Sequence, residues 1–287
     1  MSFDDISRKL RAAGREVNFP NMVLSQQAFA GQHESEPYAG IRLFRDLTYG
    51  TDARHRLDLF VPEGAEGPLP ILLFIHGGGF VRGDKRVPDT PYNDNVGLFA
   101  ARHGMIGATM THRLAPDHAW PSGAEDVAAA SRWLAAHASE FGGDPSRLFL
   151  LGTSAGATHA AGAIALDPST PVAGAILLSG MYDFTDPALR DILAPYLGED
   201  PLRYADKSPL EALIASEVPL MLVMAELDPP EFERQTFNLA ARLLERDGTM
   251  PHLVRLPGHN HFTAALHLNG EDRWLGERIA DFVFNLA

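Results

Sequence analysis

The stretch Leu148-Phe149-Leu150-Leu151-Gly152-Thr153-Ser154-Ala155-Gly156-Ala157 constrains this chain more than any other. It reads as a short apolar strand, a Gly-x-Ser-x-Gly turn, and a helix of small residues, which is the nucleophile-elbow pattern. A turn this sharp forces the serine into strained backbone angles. Gly152 and Gly156 flank it because a Cβ at either position would collide with the neighbouring strand or helix. The Ser154 hydroxyl should project from the sheet edge. The Ala155 N–H, first in the following helix, should point into the same space with the positive helix end behind it. A plain glycine-rich connection would share the motif, so its surroundings decide.

Those surroundings alternate strands with helices. Ile41–Tyr49 and Leu57–Val61 are strand-like runs joined around Gly50-Thr51-Asp52, an antiparallel hairpin. Ile71–Ile75 is uniformly apolar, as a strand buried on both faces should be, and it empties into His76-Gly77-Gly78-Gly79-Phe80. Consecutive glycines there offer bare backbone N–H groups at the carboxyl edge of a sheet, suited to cradling an oxyanion. A phosphate loop would end in Lys-Ser/Thr, which is absent. His76 reads as structural, fixing the loop. Met105–Thr111 is the next strand. Ser122-x-x-Glu125 then forms a capping box opening a helix with Val127, Ala130, Leu134, Ala138 and Phe141 on one face. Strands follow at Ala173–Ser179, Leu220–Ala225 and His252–Leu256. A helix spans Glu231 to Asp247 with Phe232, Thr236, Leu239 and Leu243 inward. A final helix places Leu275, Ile279, Phe282, Val283 and Leu286 on one face.

A serine nucleophile needs a base, and the base needs an orienting acid. In this architecture the order is Ser, then Asp or Glu, then His, each past a strand's carboxyl end. Ser154, Asp228 and His261 fit. Glu226 competes as the acid and His259 as the base. Asp228-Pro229 would also serve as a helix cap. His252 and His267 lie near the candidate base, but His-x-His without a matching carboxylate pattern is weak evidence for a metal, and none is expected.

His76–Phe80, Arg113-Leu114-Ala115-Pro116-Asp117-His118-Ala119-Trp120-Pro121, Glu125-Asp126, Gly143–Arg147 and Gly152–Gly156, in that order, resemble the hormone-sensitive-lipase-like bacterial esterases. Most of 41–287 takes part in the resemblance. It implies an α/β-hydrolase fold: a mostly parallel, twisted sheet of about eight strands with helices on both faces and a helical cap. It implies carboxylester hydrolysis on small to medium acyl chains through an acyl-enzyme, without a cofactor. By its pattern Gly77, Gly78 and Ala155 would donate the oxyanion hydrogen bonds, Asp228 would be the acid, and His261, directly before Phe262, the base. Thr153 stands where many members carry Asp, so the chain resembles the threonine-bearing branch. Leu57–Pro62 and Gly258–Phe262 are also similar to aryl-formamidases, which keeps formamide hydrolysis by the same triad as the alternative. A homodimer through the last strand and final helix is implied by resemblance alone.

Residues 1–40 differ from the rest: Ile6, Leu10 and Val17 have helical spacing, then Pro20, Gly31, Pro37 and Gly40 interrupt. They read either as an N-terminal helical cap segment or as a frayed arm, ahead of a catalytic domain over 41–287. Proline- and glycine-broken residues 183–218 read as a cap insertion on the site side of the sheet, with an ordinary connecting helix pair as the alternative. Phe80, Phe29, Tyr182, Leu193 and Phe262 are candidate pocket walls. The 24 Lys and Arg against 37 Asp and Glu leave a net charge of −13, which argues against a nucleic-acid surface. No cysteine is present, so thiol chemistry and disulfides are excluded. Ile71–Ile75 and Ala173–Leu178, the longest apolar runs, are far too short to span a bilayer. Met1–Asp5 lacks the features of a signal peptide, so a cytoplasmic protein acting on a small-molecule ester is expected.

Overall fold

The computed structural model describes residues 1–286. Helices α1 (Phe3–Ala13) and α2 (Phe19–Phe29) precede the hairpin β1 (Ile41–Thr48) and β2 (Arg56–Pro62). Then come β3 (Leu69–Ile75), α3 (Asp94–Arg102), β4 (Ile106–Met110), α4 (Ser122–His137), β5 (Gly143–Thr153), α5 (Ala155–Leu166) and β6 (Gly174–Leu178). The second half holds α6 (Arg190–Leu197), α7 (Leu210–Ala215), β7 (Leu220–Leu227), α8 (Pro230–Asp247), β8 (His252–Asn260), α9 (Thr263–Leu266) and α10 (Trp274–Asn285).

All eight strands form one sheet in the order β1-β2-β4-β3-β5-β6-β7-β8. β1, β2 and β4 pair antiparallel, and from β4 through β3 to β8 every pairing is parallel. This is the α/β-hydrolase architecture. The inner strands are buried along their whole apolar runs because helices cover both faces. On one face α4, α5, α7 and α8 seal a core with Val127, Leu134, Ala160, Leu213 and Leu239. On the other, α3, α9 and α10 bring Phe99, Ala265, Ile279 and Phe282 onto Leu72, Leu151 and Val223.

Several local expectations are corrected. Helix α4 begins without the capping box: the Ser122 hydroxyl donates to the His118 carbonyl instead of accepting from the first turn. Ser122 is already inside the helix, so its side chain bonds back toward the preceding turn. Helix α1 stops at Gly14 (φ 86°), leaving Val17 exposed and outside the stripe of Ile6 and Leu10. Leu286 lies past the end of α10 and is exposed. β8 continues to Asn260, because a register shift after Ala225 absorbs Pro257-Gly258 and pairing resumes at Leu227–Asn260. Gly258 (φ 76°) allows that shift, and a Cβ there would sit 2.6 Å from Ser7 Oγ.

The N-terminal helices are built into the molecule. Ile6, Leu10 and Phe29 are fully buried with Tyr92 and Leu227, and Arg11 pairs with Glu226 at 2.9 Å. The insertion divides in two. Leu189, Leu193, Tyr196 and Leu197 pack with Phe80, Ala155 and Phe232 in a separate cluster. Leu210 and Leu213, on α7 before β7, instead join the main core.

Three imidazoles are stacked in the interior where β3, β4 and α5 meet. His76 lies on His112 at 4.3 Å between ring centroids, and His112 meets His159 edge-on at 4.5 Å. Their Nε2 atoms have no hydrogen-bond partner among the described residues. Burial, and then repulsion between the rings, pushes His76 and His159 well below the usual imidazole range; burial also lowers His112.

Two outcomes follow from this packing. Replacing Leu10 by Ala should cost about 2–5 kcal/mol in denaturant unfolding, although the residue lies outside the sheet; a change near zero would mean that the arm is frayed. The depressed histidines stay neutral in the native state while the unfolded chain takes up protons below about pH 6.5. Their contribution is therefore complete above that pH and lost as pH falls below it, by up to about 4 kcal/mol for the three across one pH unit. Urea unfolding at pH 6 and pH 5 checks this, and an unchanged stability would contradict it.

Candidate active site

The elbow forms as its glycines require. Ser154 ends β5 with φ 55° and ψ −123°, a conformation that L-residues rarely adopt. A Cβ on Gly152 would lie 2.5 Å from the Gly156 carbonyl, and one on Gly156 would lie 2.1 Å from the Ile75 carbonyl. The first turn of α5 thus presses directly on β3 and β5, and only glycine permits it. The Ser154 N–H is tied to the Leu178 carbonyl at 2.8 Å, which holds the turn against β6.

Parallel register delivers the partners. Leu227 pairs with Asn260, so the chain leaves β7 and β8 side by side at Asp228 and His261. His261 Nδ1 meets Asp228 Oδ1 at 2.8 Å, and His261 Nε2 meets Ser154 Oγ at 2.9 Å. The carboxylate side can only accept, so Nδ1–H is the donor and Nε2 is left to accept the serine proton. Asp228 is fully buried, His261 almost so, and Ser154 is partly accessible. Such a line can remove a proton from the hydroxyl and return it to a leaving group.

Asp228 is not a helix cap. Its Oδ2 accepts from Ser179 Oγ at 2.6 Å and from the Ala225 N–H at 2.7 Å, while α8 starts at Pro230 without a side-chain cap. Ser179 escaped the sequence reading. It sits just past β6, between the strands carrying Ser154 and Asp228, and that position was the available signal. Glu226 is spent elsewhere, on Arg11 and on the Gly258 N–H at 2.7 Å, and the hydrogen bond from Arg11 leads in lowering its pKa. His259 lies under the loop with its ring stacked on Phe3 at 4.9 Å, and its Nε2 meets Asp272 at 3.0 Å.

The glycine loop reaches the serine. A Cβ on Gly77 would stand 3.2 Å from Ser154 Cβ, and Gly78 has φ 126°. His76 Nδ1 donates to the Gly77 carbonyl at 2.7 Å. Carbonyl and following N–H point oppositely across a trans peptide, so this bond turns the Gly78 N–H away from His76. Ala155 is the first residue of α5, whose opening N–H groups have no partner within the helix. The Arg113 to Asp126 stretch is scaffold: Arg113 Nε meets Asp126 at 2.9 Å, and His55 meets the same carboxylate at 3.0 Å.

The candidate pocket walls scatter. Phe80 and Leu193 lie in the cluster beside Ala155, Phe80 stacking on Tyr196 at 4.7 Å. Phe262 adjoins the His261 ring at 5.9 Å. Tyr182 belongs to the main core, and Phe29 packs on His259 in the N-terminal cluster. The ring that does touch His261 is Phe232, at 4.4 Å.

Comparison with known proteins agrees with this architecture. The model of the prolyl oligopeptidase family matches residues 117–284, and that of the BD-FAE family matches residues 57–170. A relative in Mycobacterium tuberculosis, named a probable carboxylic ester hydrolase, is 29% identical over 67% of this chain and 51% of its own length. The chain spans 24% to 59% of the length of the first relatives it matches. Among solved structures, a bacterial heroin esterase is 28% identical with a TM-score of 0.65, covering 86% of this chain and 84% of that one. An esterase from Pyrobaculum calidifontis shares the fold at a TM-score of 0.70 and 20% identity, over 100% and 93% of the two chains. These matches agree with the esterase resemblance carried by the sequence motifs, and the chain belongs to the prolyl oligopeptidase family of α/β-hydrolases.

Proposed function

We propose that this protein is a serine carboxylesterase acting on small to medium acyl esters through an acyl-enzyme. The observation that carries the reading is the continuous line from Ser154 Oγ through His261 to Asp228, with contacts of 2.9 and 2.8 Å. Ser154 Oγ attacks the ester carbonyl carbon while His261 Nε2 takes its proton. The carbonyl oxygen becomes an oxyanion, received by the N–H groups of Gly77, Gly78 and Ala155. Collapse of the tetrahedral adduct breaks the C–O bond, and His261 returns the proton to the departing alcohol. Water, deprotonated by His261, then attacks the acyl-serine and releases the acid. Asp228 stays ionised, holding the tautomer and offsetting the charge on the imidazolium. Ser179 positions Asp228.

The mouth of this site would be formed by α1 and α2 on one side and the α6 segment on the other. Phe80, Leu193 and Phe232 are the apolar surface offered to an acyl group. The cytoplasm is kept as the proposed compartment, which a cysteine-free sequence fits; among the described residues no helix is long and apolar enough to cross a membrane. β8 is an edge strand of the sheet, so a homodimer through β8 and α10 is part of the proposal; a single-chain mass by light scattering would remove it.

Short-chain p-nitrophenyl esters should be hydrolysed by the wild type, and Ser154→Ala should fall by at least about three orders of magnitude in kcat. Equal rates in both proteins on every ester would defeat the reading, and turnover of N-formylkynurenine in place of esters would replace it with the formamidase alternative. Ser179→Ala should lower kcat about tenfold or more with little change in KM, because a charge-assisted bond of about 1.5–3 kcal/mol to the buried carboxylate is lost. An unchanged kcat would make Ser179 a purely structural residue.

A further inference from the structure

Behind the loop that carries His261, the fold gathers a second set of polar side chains that the proposed hydrolysis does not use. His259 ends β8, His267 follows α9, and Asp272 precedes α10. His259 Nε2 or Nδ1, one His267 nitrogen and an Asp272 oxygen lie within 4.8 Å of one another. The two rings lie 4.2 Å apart between centroids and are tilted by 45°. Both histidines are fully buried, and the Asp272 side chain is 14% exposed.

The hydrogen bonds around the group decide which atoms are available. His267 Nδ1 lies 2.7 Å from the Thr263 carbonyl, which only accepts. Nδ1 therefore carries the proton, and Nε2 is a bare lone pair. That lone pair has no hydrogen-bond partner among the described residues, although it is completely buried. His259 Nε2 faces the Asp272 carboxylate, which only accepts, so Nε2 carries the proton and Nδ1 accepts from Thr263 Oγ1 at 3.1 Å; because that hydroxyl can equally accept, the proton can move to Nδ1 and bare Nε2 for a ligand. Asp272 Oδ1 is occupied by the Trp274 N–H at 2.9 Å, and Oδ2 faces His259 at 3.0 Å. Outer-shell bonds that orient two imidazoles and a carboxylate toward one point are the arrangement metal ligands require.

We propose that His259, His267 and Asp272 form a binding site for a zinc ion. Two imidazole nitrogens and one carboxylate oxygen suit zinc, whereas magnesium and calcium favour all-oxygen sets. Water would take the fourth position. It and the ion would enter by the surface cleft lined by Gln32, Leu268, Gly270 and Asp272, which opens beside the carboxylate. The ion takes the place of the proton on His259 Nε2, and that proton moves to Nδ1, which then donates to Thr263 Oγ1, so the ring stays neutral. The site joins the end of β8 to the start of α10, so it braces the strand end that presents His261 without taking part in the chemistry at Ser154. In the sequence no carboxylate stands at ligand spacing from His259; Asp272 arrives only through the turn after α9.

The test uses untagged full-length protein freed of metal by a chelator and dialysed. Titration with zinc chloride, followed by calorimetry, should give one ion per chain. The melting temperature should rise by a few degrees. Cobalt(II) in place of zinc should show the intense visible absorption of a four-coordinate site. His267→Gln and Asp272→Asn should each weaken zinc binding at least about tenfold. Asp272→Asn changes the one partly exposed member and keeps the test usable if the His267 variant does not fold. Ser154→Ala should bind zinc as the wild type does, so the result stands apart from the esterase reading. No zinc uptake by the wild type, or uptake undiminished in the folded variants, would overturn the proposal.

Discussion

The backbone of Ser154 is the constraint on which the rest of this structure depends. A left-handed conformation at a non-glycine residue costs about 1–3 kcal/mol and persists only where the surroundings over-determine it. Here Gly152 and Gly156 let α5 press onto β3 and β5 at separations no side chain would allow. The bond from the Ser154 N–H to Leu178 fixes the same turn to β6. The strain is thus held by three strands and a helix, and it is what lifts the hydroxyl off the sheet edge toward His261.

Asp228 and His261 are held by a different device. β7 and β8 lose register at Pro257-Gly258 and recover it at Leu227–Asn260. That recovery brings Asp228 and His261 to adjacent positions. α1 secures the irregular stretch from outside: Ser7 packs where a Gly258 Cβ would be, and Arg11 takes Glu226, whose other bond is to the Gly258 N–H. An arm far from the strands in sequence therefore supports the geometry around His261. The burial of Asp228 would be costly for a lone carboxylate, and it is offset by bonds from Ser179, Ala225 and His261.

Histidine is used here in two ways. His261 is poised between a carboxylate and a hydroxyl, with the hydroxyl open to solvent. His76, His112 and His159 are sealed in the interior as neutral rings, and His76 spends its one N–H on orienting the glycine loop. His259 and His267 are equally buried, but they lie beside a carboxylate and share Thr263 as their common anchor.

Much of the architecture was legible in the chain itself. Apolar runs mark strands that must be buried on both faces, and helix stripes such as Val127, Ala130 and Leu134 show which side faces the sheet. Glycines that a Cβ would wreck mark the elbow. These are local signals, set by side-chain size, period and backbone freedom, so they survive in one dimension. Folding alone brought Asp228 and His261, rather than Glu226 and His259, into line with Ser154, added Ser179 to the carboxylate, denied Ser122 its capping role, and brought Asp272 to two histidines. Each of those outcomes turns on which groups from distant segments arrive within hydrogen-bond reach. Register, burial and competition for partners decide that, and none of the three exists until the sheet has closed.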